Sequence, residues 1–186
     1  MKTLVQRREI LHRRFAGSFD VVFRDIEVAG LHGVLIFLSS LSDASLLATV
    51  SESFVLSAAN TLELTLFPAA VEAVYDEEKA VTNMLSGQCM VLLEGHAAFY
   101  CVEVRNYPSR PNAEPSVERS IRGSHDGFVE NIILNVGLIR RRIRDPRLRM
   151  VAVQKGNIHG RISCMLILTV SWIRMYLPIL KPESMP

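Results

Sequence analysis

One run constrains this chain more than any other: residues 119–149, RSIRGSHDGFVENIILNVGLIRRRIRDPRLR. It joins a loop bearing arginine and glycine to a helix with an apolar stripe and a cationic end. Phe128, Ile132, Val136, Ile139 and Ile143 recur at steps of four, four, three and four, which keeps them on one face of a helix over roughly residues 126–144. Asp126 and Glu130 near its start, and Arg140, Arg141, Arg142 and Arg144 near its end, complement the helix dipole. Each such charge contributes about 0.3–1 kcal/mol. Pro146 closes the element. The stripe has to dock on a second layer, with Phe128 as its anchor. Burying such a ring stabilises by about 1.5–3 kcal/mol.

The stretches upstream supply that layer. Residues 4–15 read as a short basic helix or a loose arm. Residues 21–28 alternate apolar and polar and suggest an edge strand. Residues 34–38 are continuously apolar, which fits a strand buried on both faces. Ser42 or Asp43 can cap a helix over 44–56, so strand, cap and helix open a βα unit. Residues 61–74, interrupted by Pro68, predict short helical pieces. Residues 76–85 predict a helix with acids at its start, the stripe Ala80, Val81, Met84 and Leu85, and Gly87 placed to end it. Residues 90–93 and 98–104, around Glu94-Gly95-His96, read as a β-hairpin. Residues 107–115 hold three prolines and predict an extended connection. The fold class is α/β: one mixed-sheet lobe with packed helices. The organisation expected is a basic N-terminal arm at 1–14, the lobe at 15–155, and a divergent tail at 156–186.

Net charge is only +2, but it is unevenly spread. Residues 1–14, 15–104, 105–150 and 151–186 carry +4, −10, +5 and +3. An acidic body flanked by basic segments predicts pairing within the chain or between subunits, or a basic face turned toward an anionic surface. Arg122 and the arginines after Ile139 are expected to contact acids of the body or of a neighbour, since the guanidinium fork suits carboxylates.

No residue grouping predicts catalysis. Cys89, Cys101 and Cys164 form no close-spaced motif and are odd in number, which argues against a disulfide framework and for a reducing compartment. The five histidines are scattered, so no metal or other cofactor is expected. Gly123–Gly127 precedes a helix beside Arg122, but its spacing is not that of a nucleotide loop and it lacks the lysine. A structural loop is the better reading. There is no G-x-S-x-G and no Ser, His, Asp grouping. The cluster Arg140–Arg142 suggests nucleic-acid binding as the alternative function. Against it, consecutive helical residues turn by about 100° each, and no aromatic residues are interleaved. Residues 162–180 carry one charge, Arg174, and contain Pro178. Their uninterrupted part falls short of the roughly 20 residues a spanning helix needs, and reads as a buried strand or a tail.

An ordered set of motifs is similar to a known family. It comprises Tyr107-Pro108-Ser109-Arg110, then Glu114-Pro115 and Glu118, Ile121-Arg122-Gly123, Gly127-Phe128, Glu130-Asn131, Asn135, and Leu138-Ile139-Arg140-Arg141-Arg142. The segment at 20–25, the strand at 34–38, and Leu85-Ser86-Gly87 through Glu94-Gly95 agree more loosely. The set resembles the N-terminal domain of GerA-family spore germination proteins, the A subunits of germinant receptors. The resemblance implies the first lobe of a two-lobed α/β region on the cytoplasmic side of the inner spore membrane. It implies a non-enzymatic role in assembly or signal transmission. The partners it implies are B- and C-type subunits and other A subunits, with the membrane reached through a missing C-terminal part or through those partners. Family members continue through a second lobe and membrane helices, so the chain reads as truncated. The residues it singles out for assembly are Pro108, Ser109, Arg110, Arg122, Gly123, Gly127, Phe128, Glu130, Asn135, Arg140, Arg141 and Arg142.

Overall fold

The computed structural model describes residues 3–28, 31–56, 69–107 and 131–154, and the backbone of strands at 162–170 and 173–174. The apolar run at 34–38 has no polar side to offer to water, and the fold is arranged around it. It lies in β2 (Leu31–Leu38), where every residue from Val34 on is buried. β2 pairs antiparallel with β1 (Val21–Val28) on one side and with β4 (Cys89–Leu93) on the other. β5 (Phe99–Val102) follows beside β4, and β3 (Val71–Val74) closes the far edge, giving the order β1-β2-β4-β5-β3. β1 is an edge strand, as its alternation predicts.

Because side chains alternate across a strand, the sheet feeds two cores. Val34, Ile36, Leu38, Met90, Leu92, Phe99 and Cys101 face α1 (Leu4–Arg14) and α3 (Glu77–Leu85), meeting Leu11, Ala80, Val81, Met84 and Leu85. Leu35, Phe37, Val91, Leu93, Tyr100 and Val102 face α2 (Ala44–Leu56), meeting Leu47 and Val50. The lobe is therefore three layers, helix pair, sheet and helix. Of the two capping candidates for α2, Asp43 takes the role, and Asp76, expected as the first acid of its helix, is instead the cap of α3. Asp43 accepts from the N–H groups of Ser45 and Leu46, and Asp76 from those of Glu78 and Lys79.

The α/β class expected from the sequence is what forms. Within it, every described strand pairing is antiparallel, where a mixed sheet was expected. The reason lies in β5. β3 and β4 both run antiparallel to β5 and so share a direction. The α3 crossover thus joins two parallel strands, but β5 occupies the slot between them. β3 itself corrects the helical reading of its stretch. Val71–Val74 is too short to show a period, and the free edge of β5 decides its conformation.

A second, smaller unit follows: α4 (Ile132–Arg142), β6 (Leu148–Gln154), β7 (Ile162–Val170) and β8 (Ile173–Arg174). β6 and β7 pair antiparallel with Leu148 opposite Leu168. Of the two readings for residues 162–180, a strand forms over 162–170. No helix among the described residues is long and apolar enough to cross a membrane. α4 ends two residues short of the predicted Arg144. Ile143 is its C-cap, with extended backbone and 42% of the residue exposed, so it leaves the apolar stripe. Residues 126–130, including the anchor Phe128, lie outside the described residues. The stripe that is described buries Val136 against Leu148 and Met150, with Phe19 and Ile139 partly buried beside them.

The basic N-terminal helix pairs with the acidic body, as the charge pattern predicts. Arg14 forks onto Glu78 through bonds of 2.7 and 2.6 Å, and Arg8 reaches Asp25 at 3.3 Å. Exposed pairs of this kind are worth about 0–1 kcal/mol each, so they orient α1 more than they stabilise it. Arg7 does more. Mostly buried, it lies 4.1 Å over the Phe99 ring and donates to the carbonyls of His96 and Ala98, tying α1 to the β4–β5 hairpin.

Candidate functional site at the arginine end of α4

The last turn of α4 carries Arg140, Arg141 and Arg142, and helical rotation sends them three ways. Arg140 falls four residues after Val136 and three after Gly137, on the inner stripe, and is fully buried. Its Nε donates to one carboxylate oxygen of Asp20 at 2.8 Å, and its Nη2 to the other at 3.1 Å. Nη2 also lies 3.3 Å from Ser18 Oγ. Asp20 is itself fully buried.

The segment that supplies Asp20 is held from several sides. Phe19 N–H donates to the carbonyl of Met150, and Met150 N–H to Ser18 Oγ. Arg149 Nη1 donates to the carbonyl of Ala16 at 2.6 Å. The carbonyl of Asp20 accepts from Ser39 through both its N–H and its hydroxyl. Residues 16–20 are thus the joint at which α4 and β6 meet the five-stranded sheet.

Burying two charges costs several kcal/mol per ion, offset only when the geometry is good and the remaining groups are bonded. The two-bond fork and the Ser18 contact meet most of that condition. Among the described residues Arg140 Nη1 is buried with no hydrogen-bond partner, so the condition is not met in full. Both Asp20 oxygens are taken by the same guanidinium, so this carboxylate is not a free base. Chemically the arrangement is a fastener.

Arg141 extends the joint to a third element. Its guanidinium lies 5.1 Å over the Tyr107 ring, and Tyr107 Oη donates to the carbonyl of Ser86 at the end of α3 at 2.9 Å. Arg142 is exposed. With Arg140 sealed inside and Arg141 laid on an aromatic ring, the cluster does not present one cationic face to a phosphate backbone.

Of the residues singled out from the sequence, Asn135, Arg140, Arg141 and Arg142 are described, and all four lie on α4. Pro108, Ser109, Arg110, Arg122, Gly123, Gly127, Phe128 and Glu130 lie outside the described residues. Ser18 and Asp20 were not singled out. The available signal was a lone carboxylate between Phe19 and Val21, inside a segment that the family resemblance already touched.

Comparison with known proteins agrees with this architecture. The profile of the family described as Bacillus/Clostridium GerA spore germination protein matches residues 9–168, past both ends of the stretch that carries the motifs. The chain is 34% identical over 149 residues to stage V sporulation protein AF of Bacillus subtilis (strain 168), covering 75% of this chain and 30% of that protein. It is 28% identical over 161 residues to spore germination protein KA of the same organism, covering 78% and 29%. The chain therefore spans about three tenths of the length of these curated relatives. Its fold is similar to the crystal structure of the N-terminal domain of the A subunit of the Bacillus megaterium spore germinant receptor GerK3. The TM-score is 0.67 at 16% identity, covering 89% of this chain and 64% of that one. With the family profile spanning most of its length and the arginine-tipped helix in place, the chain belongs to the GerA family of spore germination proteins.

Proposed function

We propose that this chain serves as a non-enzymatic lobe of a germinant receptor A subunit, supporting assembly or signal transmission in spore germination. The observation that carries the reading is the buried Arg140–Asp20 fork. It fastens the helix bearing the family's arginine motif to the central sheet, and uses the guanidinium for construction rather than for a ligand. A lobe fastened this way moves as a body, which suits a part that relays displacement between subunits. The partners would be B- and C-type receptor subunits and other A subunits, on the cytoplasmic side of the inner spore membrane.

The test is genetic. Deleting the gene for the whole protein in its sporulating host is expected to abolish the germination response to at least one nutrient, read as the fall in optical density of a spore suspension. Unaltered responses across a nutrient panel would sink the proposal. Arg140→Met in the same host should reproduce the defect, with immunoblots of the variant chain separating lost signalling from lost protein.

A further inference from the structure

Beside the buried joint lies a groove of about 570 Å³, between the end of α1 and the start of β6. Among the described residues its walls are Arg14, Arg144, Asp145, Pro146, Arg147 and Arg149, four guanidinium groups against one carboxylate. We propose that this groove is a docking site for a carboxylate-rich segment of a protein partner. That the partner is a protein rests on the receptor-lobe reading; the chemistry it must carry rests on the groove.

Three observations argue for carboxylates. Two of the four arginines already hold them here by two bonds: Arg14 grips Glu78, and Arg147 grips Asp145. Carboxylates are thus what guanidinium groups of this groove already bind, as the planar fork favours, although the forks of Arg14 and Arg147 are filled. Arg144 is exposed and, among the described residues, makes no hydrogen bond or ion pair. Arg149 gives one nitrogen to the carbonyl of Ala16 and, among the described residues, none to an acid. Two cationic groups thus face the groove without a carboxylate of their own.

The surroundings discriminate among anionic partners. Among the described residues the walls hold no aromatic ring on which a base could stack. Asp145, inside the lining, opposes a compact dianion more than single charges spaced along a chain. Singly charged carboxylates on a flexible backbone fit best.

The test uses the full 186-residue chain and a fluorescein-labelled oligoglutamate peptide, followed by anisotropy at low ionic strength. Saturable binding is expected. It should weaken about fivefold in Arg144→Gln, the equivalent of one exposed ion pair, and weaken further with added salt. Arg144 is exposed and makes no hydrogen bond or ion pair among the described residues, so this variant is expected to keep the fold. Arg13→Gln is the control: it removes the same charge from a side chain 76% exposed and outside the groove, and should leave binding unchanged. Absence of saturable binding overturns the proposal. So does equal weakening by Arg13→Gln, which would mean bulk charge alone. Oligothymidine, or vesicles of equal parts phosphatidylglycerol and phosphatidylcholine, binding more tightly than the peptide and losing that binding in Arg144→Gln, would also overturn it. Germination of the deletion strain tests the receptor reading and anisotropy tests the groove, so either can fail alone.

Discussion

Arg140 and Asp20 stand 120 residues apart and meet with both side chains sealed from water. Truncating either leaves the other charged, buried and alone, which typically costs about 3–5 kcal/mol. Arg140→Met and Asp20→Leu should each lower the unfolding free energy by that order, read as a fall in the urea midpoint. The double variant, which removes both charges, should lose at least 1 kcal/mol less than the sum, roughly the coupling seen for contacting residues. Strict additivity in that cycle would show that the two residues do not act as a pair. Arg140→Lys should fail to restore stability, because an ammonium cannot span both Asp20 oxygens and Ser18 Oγ at once.

Among the elements, α3 shows how local chemistry fixes an end. Gly87 follows the cap Ser86 with φ +103°, its N–H bonded to the carbonyl of Met84, while Gln88 N–H reaches that of Asn83. This is the paired-bond ending that favours glycine. Gly95, in the β4–β5 turn, also has positive φ, at +77°, but an added methyl group there would meet nothing within 4 Å. At Gly87 it would come 2.8 Å from Arg105 Cγ and 3.3 Å from Leu41 Cβ. Gly95→Ala should therefore cost only the backbone strain, about 1–2 kcal/mol. Gly87→Ala should cost that plus the displacement of Arg105 and Leu41. Thermal melts of the two variants check the order, and Gly95→Ala as the more damaging change would contradict it.

For the whole molecule, titration sets the limits of stability from both sides. Arg14 holds the Glu78 carboxyl below its usual range, and Arg147 does the same for Asp145. In acid the unfolded chain takes up these protons first, so stability is present above the ordinary carboxylate range and falls as pH drops through it. In alkali the sign reverses. Burial pushes the Cys89 thiol up to about 12 from an ordinary value of 9.0, and raises Cys101 as well. The folded state then keeps protons that the unfolded chain releases, so stability is full below pH 9 and declines as pH rises toward 12. Urea midpoints across pH should decline at both ends, and Cys89→Ala should flatten the alkaline side. The same burial predicts that iodoacetamide at neutral pH leaves Cys89 and Cys101 unlabelled until the chain is unfolded, as read by peptide mass spectrometry. Rapid labelling of Cys89 in the folded protein would contradict its placement in the core.

The sequence by itself determined whatever depends on neighbours a few residues away. The run at 34–38 had to be a strand buried on both faces because it has no polar side. Ser42 and Asp43 announced one helix start and the acids at 76–78 another, Gly87 announced an ending, and the arginine-tipped helix was readable from its stripe and its motif. Tertiary structure decided what depends on distant partners. β3 became a strand because β5 had a free edge. The sheet became antiparallel because β5 filled the slot between β3 and β4. Ile143 left its stripe because α4 ended at Arg142. Only folding could choose Arg140 from three adjacent arginines and set it against Asp20. Helical phase says that the three diverge, but which one turns inward depends on where the rest of the chain has placed a carboxylate.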